Sequence, residues 1–329
     1  MGRQHISISE REIIMIRVNE GAGPVQIARE IGRDKGTISR ELVRNATALG
    51  GYSAHQADAF AAMRRALPRR GAKMADPRIR AYAQSGLCNF WSPEQIAGRM
   101  KEDHPHDASM RVCHETVYQF IGRQKQAGVD FTPYLRQRHA RNGYGWRGHH
   151  RFKRIREARS IEQRPAEVEK REQAGHWEGD TMRGAGNSPV GIGTQVERMT
   201  RYLVAELLNT RKAATYNQAT CAAFAAQPGL PRLSLTVDNG MEFAEHKALE
   251  KELGVLIYFA RPYHAWERGT NENTNGLLRQ FFPKGADLGA VSEAELQRVV
   301  ALLNNRPRKC LGYRTAAEAM SKALVAFRN

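Results

Sequence analysis

Apolar positions change texture part-way along this chain. Up to about residue 122 they recur at the intervals of helix faces, and from residue 173 they gather into short dense runs separated by turn residues. Residues 7–45 predict three helices. Ser9 is placed to cap the first, with Glu10 and Glu12 in its opening turn and Ile13, Ile14 and Ile16 on its apolar side. Gly21 to Gly23 ends it, Pro24 opens the second at its first position, and Gly32 closes that one before Lys35 begins the third. Ala28, Gly32 and Ile38 supply a small residue where helices touch, a turn glycine and an apolar anchor, a spacing that suits a helix-turn-helix. Its second helix would present Lys35, Thr37, Ser39, Arg40 and Arg44 to a major groove.

Residues 52–70 read as an alanine-rich helix ending in paired arginines, either a solvated face or a track for phosphates. Residues 92–122 predict a second helix-turn-helix. Ser92 stands three before Gln95 at a capping-box spacing, and the segment from Cys113 to Ile121, with His114 and Thr116, would be its recognition helix. Residues 134–172 are charged and lack apolar periodicity. Arg147, Arg151 and Lys153 alternate there with Tyr144, Trp146 and Phe152, which predicts a basic linker lying on DNA.

From residue 173 the runs HWEGDTM, SPVGIGTQVE and RYLVAELL predict three consecutive strands. A helix over KAATYNQATCAAFAAQ, a strand RLSLTVD with a turn at Asn239-Gly240, a helix ending at Gly254 and a strand VLIYFA follow. NENTNGLLRQFF and SEAELQRVVALLNNRP predict two more helices. Three strands and then helix–strand alternation make an α/β domain with a mixed sheet of five strands.

Charge sharpens this division. The 329 residues carry a formal net charge of +17. Residues 1–172 hold 32 Lys+Arg against 19 Asp+Glu, or +13, whereas residues 173–329 hold 19 against 15, or +4. A basic front favours a nucleic-acid partner, because lysine and arginine neutralise phosphates and release counterions. No apolar run approaches the length of about 18 residues that reads as a membrane span. Cys88, Cys113, Cys221 and Cys310 are far apart and form no CxxC pair, so free thiols in a cytoplasmic protein are expected.

Three acids carry the candidate chemistry. Asp180 and Asp238 stand on strand-like segments, and Glu272 opens a helix with 33 residues between it and Asp238. This is the layout of a two-metal phosphoryl-transfer site, in which carboxylates hold hard cations against a phosphodiester. Glu178, on the same strand face as Asp180, and Glu242 compete for the role. Arg268, Asn275 and Arg279 lie four before, three after and seven after Glu272, near one helical face, where they could hold DNA.

The strings TISRELVRN, WSPEQIAGRM, HETVYQFI, GHWEGDTM, VDNGMEFA, PYHAWERGTNENTNGLLRQFFPKG and LNNRPRKCLGYRTAAEAM span residues 37 to 320. With them the chain resembles the bacterial insertion-sequence transposases of the IS-thirty family, a group of DDE transposases. The resemblance implies a ribonuclease H-like catalytic fold and Mg²⁺ or Mn²⁺ at two ions per site. It implies Asp180, Asp238 and Glu272 as the catalytic and metal-binding triad, and double-stranded DNA, the element's terminal inverted repeats and its target, as partner. Relatives often carry a basic residue at the place of Arg279, and tend to have an acidic or imidazole side chain where this chain has Arg261. The expected organisation is a helix-turn-helix domain over 1–50, a basic connecting helix over 51–83, a second helix-turn-helix over 84–130, a basic linker over 131–172 and the catalytic domain over 173–329. Two element ends must be processed together, so a homodimer or higher oligomer on DNA is expected. A non-enzymatic DNA-binding regulator and a plain ribonuclease H-like nuclease are the alternatives.

Overall fold

The computed structural model describes residues 5–47, 51–66, 73–136, 155–186, 188–262 and 264–328. Arg147, Arg151 and Lys153 lie outside the described residues. Two compact units divide the chain, residues 1–72 and 73–329.

The first unit holds α1 (Ile8–Asn19), α2 (Pro24–Glu30), α3 (Lys35–Arg44) and α4 (Ala54–Ala66). Ile14, Ile27, Ala28, Ile38 and Ala57 meet in its core. Helix α1 starts earlier than its sequence suggests. Its cap is Ser7 rather than Ser9, with Ser7 and Glu10 forming a reciprocal capping box. Two overlapping Ser-x-x-Glu patterns compete here. The earlier one lengthens the helix, and it leaves Ile6 buried and its carbonyl available to Arg11. Gly32 takes φ +66 in the turn before α3, a conformation that side chains disfavour. Arg11 is 3% exposed and pairs with Glu41 of α3 at 2.8 Å and Asp58 of α4 at 2.6 Å. One buried guanidinium thus ties three helices together.

The second unit opens with α5 (Pro77–Cys88), α6 (Pro93–Asp103) and α7 (His114–Gln126), packed around Ile79, Leu87, Ile96, Met100, Val117 and Phe120. Ser92 caps α6 and shares a capping box with Gln95. This helical module is fastened to the C-terminal part of the same unit. Arg99 grips Glu318 through two bonds of 2.5 and 2.6 Å, and Lys309 reaches Glu94 at 2.6 Å. Gln95 donates to the Pro307 carbonyl at 2.7 Å and accepts from Arg306 at 2.9 Å. A Cβ at Gly98 would sit 2.4 Å from the Tyr313 ring, so only glycine allows this approach.

Residues 155–172 are folded against the sheet, in contrast to the linker that the sequence suggests up to residue 172. Ser160 forms a parallel bridge with Phe259, Arg159 pairs with Glu250 at 2.5 Å and lies over the Tyr258 ring, and Ile155 enters the core. The short helix α8 (Glu167–Lys170) follows. The physical reason is specific tertiary pairing, which apolar periodicity does not register.

Strands β1 (His176–Arg183), β2 (Gly191–Glu197), β3 (Leu203–Leu208), β4 (Ser234–Val237) and β5 (Leu256–Phe259) form one sheet in the order β3-β2-β1-β4-β5. The first three pair antiparallel; β4 and β5 run parallel to β1. Helices α9 (Ala213–Ala225) and α10 (His246–Leu253) bury Trp177, Tyr216, Phe224 and Leu235 on one face. On the other, α11 (Gly269–Leu278) and α12 (Glu293–Asn304) bury Met182, Ile192, Leu277 and Leu303. The C-terminal helix α13 (Ala316–Arg328) adds Met320 to the first core. The free edge of β3 is covered by α12: Asn304 bonds both the N–H and the carbonyl of Leu203, and Gln297 donates to Ala205. An edge satisfied in this way offers no ladder to another strand.

Candidate active site

The parallel register of β1 and β4, with Glu178 beside Thr236, brings Asp180 level with Asp238 two residues further on. Asp180 is held on both carboxylate oxygens. The Thr181 N–H donates to one at 2.8 Å and the Asn275 side chain of α11 donates to the other at 3.0 Å. Asp238 accepts from the Gly240 N–H at 2.8 Å, and Asn239 fixes the turn by donating to the Ala260 carbonyl at 2.7 Å. A Cβ on Gly240 would come within 2.9 Å of that same Asp238 oxygen and closer still to Glu242, which accounts for glycine after Asn239.

Arg268 bridges the two aspartates. Its guanidinium lies 3.5 Å from Asp180 and 3.2 Å from Asp238, and it also donates to the Gly179 carbonyl at 3.2 Å. Burial pushes the Asp180 carboxyl above the ordinary aspartate range; Arg268 opposes this and the neighbouring Asp238 adds to it. Glu272 stands in the first turn of α11, exposed, and makes no hydrogen bond or ion pair among the described residues. The structure therefore brings Asp180 and Asp238 together and leaves Glu272 outside their contact. Among the described residues no three His, Cys, Asp or Glu side chains converge as a metal-ligand set. Two carboxylates facing one bridging cation nevertheless fit a hard divalent ion, which takes oxygen ligands. Glu272 would have to approach to complete the set.

Glu178 faces the same way as Asp180 but is committed elsewhere. It is fully buried, pairs with Arg198 at 2.7 Å and accepts from the Asn271 N–H at 2.8 Å. Asn271 returns a bond to the Glu178 carbonyl at 2.8 Å. Together they pin the first turn of α11, and so the backbone under Glu272, to β1. Glu242 accepts from the Thr181 hydroxyl at 2.5 Å, beside the aspartates rather than between them.

Residues 2–45 match the model of a helix-turn-helix domain, and residues 170–265 match the integrase core domain. The transposase for insertion sequence element IS1086 of Cupriavidus metallidurans is 37% identical over 325 residues, which cover 98% of this chain and 96% of that one. Transposase InsI for insertion sequence element IS30A of Escherichia coli is 34% identical, with 98% of this chain and 84% of that one covered. The chain belongs to the IS30 family of insertion-sequence transposases. Among solved structures, the catalytic core domain of BIV integrase is similar over 47% of this chain and 98% of its own, at 21% identity and a TM-score of 0.35. The five-stranded mixed sheet of this transposase is an integrase-like ribonuclease H fold behind an N-terminal helix-turn-helix domain.

The remaining candidates of the transposase fall into separate places. On α3, Lys35, Arg40 and Arg44 are exposed, while Thr37 and Ser39 are half-buried. On α7, His114 is exposed and Thr116 bonds the Cys113 sulfur at 3.2 Å. Arg279 donates to the Arg183 carbonyl at the end of β1 at 2.9 Å. Sequence reasoning missed Asn271 and Arg198 as the supports of α11. Asn271 could have been found from its place four before Asn275, on the face turned to β1; nothing local marks Arg198.

Proposed function

We propose that this transposase binds the terminal inverted repeats of its element through its helical modules, nicks DNA by phosphodiester hydrolysis and joins the freed 3′-hydroxyl to target DNA. In the first step water adds to phosphorus and the element's 3′-oxygen leaves, taking up a proton. In the second, that 3′-hydroxyl attacks a target phosphodiester and the target's own 3′-oxygen departs. One diester is exchanged for another, so joining needs no external energy source and no serine or tyrosine nucleophile.

The observation that carries this reading is the pairing around one positive group of Asp180, within β1, and Asp238, just past the end of the adjacent parallel strand β4. Rigid strands aim both carboxylates. Mg²⁺ or Mn²⁺, held by Asp180, Asp238 and Glu272, would supply charge stabilisation to the attacking and leaving oxygens. Asn275 and the Thr181 N–H orient Asp180, Gly240 orients Asp238, and the Glu178–Asn271 contact fixes the turn that carries Glu272. Exposed Lys35, Arg40 and Arg44 on α3 give the first unit a basic face for a DNA groove. A homodimer or higher oligomer assembles on DNA to pair the two ends.

The test uses the full chain with cognate end DNA. Asp180→Asn, Asp238→Asn and Glu272→Gln each keep shape and remove a charge. Each should abolish cleavage and joining while end binding persists. Joining at the parental rate by Glu272→Gln would remove it from the triad.

A further inference from the structure

Arg268 holds a position that the proposed chemistry requires for a metal. It is the last residue before α11, one helical turn ahead of Glu272. Its two terminal nitrogens divide between Asp180 and Asp238, the pair proposed to bind cations, and its side chain is only 13% exposed. The Nε is buried and has no hydrogen-bond partner among the described residues, so the guanidinium is incompletely satisfied there. Asp180 is nevertheless well served by the Thr181 N–H and Asn275, which do not depend on Arg268.

Two carboxylates this close repel each other unless a cation lies between them. A guanidinium and a divalent ion cannot both occupy that place. Metal entry must therefore displace Arg268, and the displaced side chain carries a planar donor fork suited to phosphate. Its anchor lies at the start of the helix that bears Glu272, so it is released beside the site where the scissile phosphate is to be held.

We propose that Arg268 is a positioning residue that acts as a resident cation, holding Asp180 and Asp238 together before metal binds, and that metal displaces it to grip a DNA phosphate. The proposal rests on the assignment of Asp180 and Asp238 as metal ligands. It makes Arg268 a competitor of the metal and a coupler between metal and DNA binding.

The experiment measures Mn²⁺ affinity of the full chain without DNA, by the paramagnetic signal of free Mn²⁺, for the parent, Arg268→Ala, Arg268→Gln and Asp238→Asn. Melting temperatures are taken in EDTA and in Mn²⁺. Both Arg268 variants should bind Mn²⁺ roughly tenfold more tightly, the effect of removing one charge-assisted contact that the metal must break. Both should melt lower than the parent in EDTA and regain that loss in Mn²⁺. With Ca²⁺ in place of Mn²⁺, the parent should gain affinity for end DNA and the variants should gain less. Arg268→Gln keeps most of the side chain's packing, so it decides the matter if Arg268→Ala folds poorly. Unchanged or weakened Mn²⁺ affinity in Arg268→Gln, with Asp238→Asn abolishing binding, overturns the proposal and leaves the metal assignment standing. Parental Mn²⁺ affinity in Asp238→Asn overturns the metal assignment itself.

Discussion

Glu178→Gln separates a structural acid from a catalytic one. Glu178 is fully buried and Arg198 is 2% exposed, with 2.7 Å between them. The other Glu178 oxygen accepts the Asn271 N–H. A glutamine can meet only one of these neighbours. If its carbonyl faces Asn271, its NH₂ opposes Arg198, donor against donor; the reverse rotamer opposes the Asn271 N–H. Among the described residues Arg198 then keeps only Glu169, whose side chain is 64% exposed and therefore well screened. Removing one partner from a buried pair costs about 3 kcal/mol or more. In a body of this size each kcal/mol moves the midpoint by about 2–4 °C, so a fall of about 6–12 °C is expected. Thermal unfolding of the full chain, followed by far-ultraviolet circular dichroism, reads this directly. Glu178→Gln combined with Arg198→Met should recover at least half of the loss, since no uncompensated charge remains. Mn²⁺ binding should persist in both. A variant that melts with the parent but no longer binds Mn²⁺ would refute this reasoning and make Glu178 a ligand.

Two further outcomes follow from buried and docked groups. Glu206 lies wholly within the sheet core, and burial pushes its carboxyl up to about 7, with bonds from Gln195 and Thr220 opposing the shift. The stability of its neutral form is complete below the unfolded value near 4.5 and is lost as pH rises through about 7. Glu206→Gln should therefore be more stable than the parent by about 3 kcal/mol at pH 8 and nearly equal to it below pH 4.5; a parallel pH–stability curve for the two would contradict this. For the assembly, Glu272→Gln chains mixed with chains carrying Lys35→Ala and Arg40→Ala should recover joining, while the same chains mixed with a His114→Ala, Thr116→Ala variant should not. Equal rescue of both mixtures would show that α7 serves another chain's site.

Much of the fold was legible because it is local. The five strands follow dense apolar runs, and Pro24, Gly32, Ser92 and Gly254 mark helix ends as their backbone chemistry requires. Helix α13 was not anticipated, although its signal was present: Thr315 and Glu318 exchange the two bonds of a capping box. At Ser7 and Ser9 the same pattern occurs twice, and tertiary contacts of Ile6 and Arg11 choose between them. The pairing of Asp180 with Asp238 could be read because both stand on strand-like runs. The place of Arg268 could not, since only the packing of α11 on β1 turns a residue near a helix face toward the aspartates instead of solvent.

The same non-local contacts change what the chain between the modules must do. Read from sequence, residues 131–172 form one long basic tether, free to carry the front modules to another subunit. Yet Arg99, Gln95 and Lys309 fasten α6 to the segment from Arg306 to Glu318, and Phe90 meets Phe281 edge-on at 4.8 Å. On the far side, Ser160 and Arg159 attach residues 155–172 to β5. Both flanks of residues 137–154 therefore belong to one compact unit, and α7 is carried by the body that bears Asp180 and Asp238. If α7 reads DNA, as proposed, that DNA is presented to its own chain's aspartates. The division between compact units falls instead after Ala72, ahead of α5. If one chain holds the end that another cuts, the module that reaches across is α1–α4, and the contacts that Arg11 makes within it let it travel as a single piece.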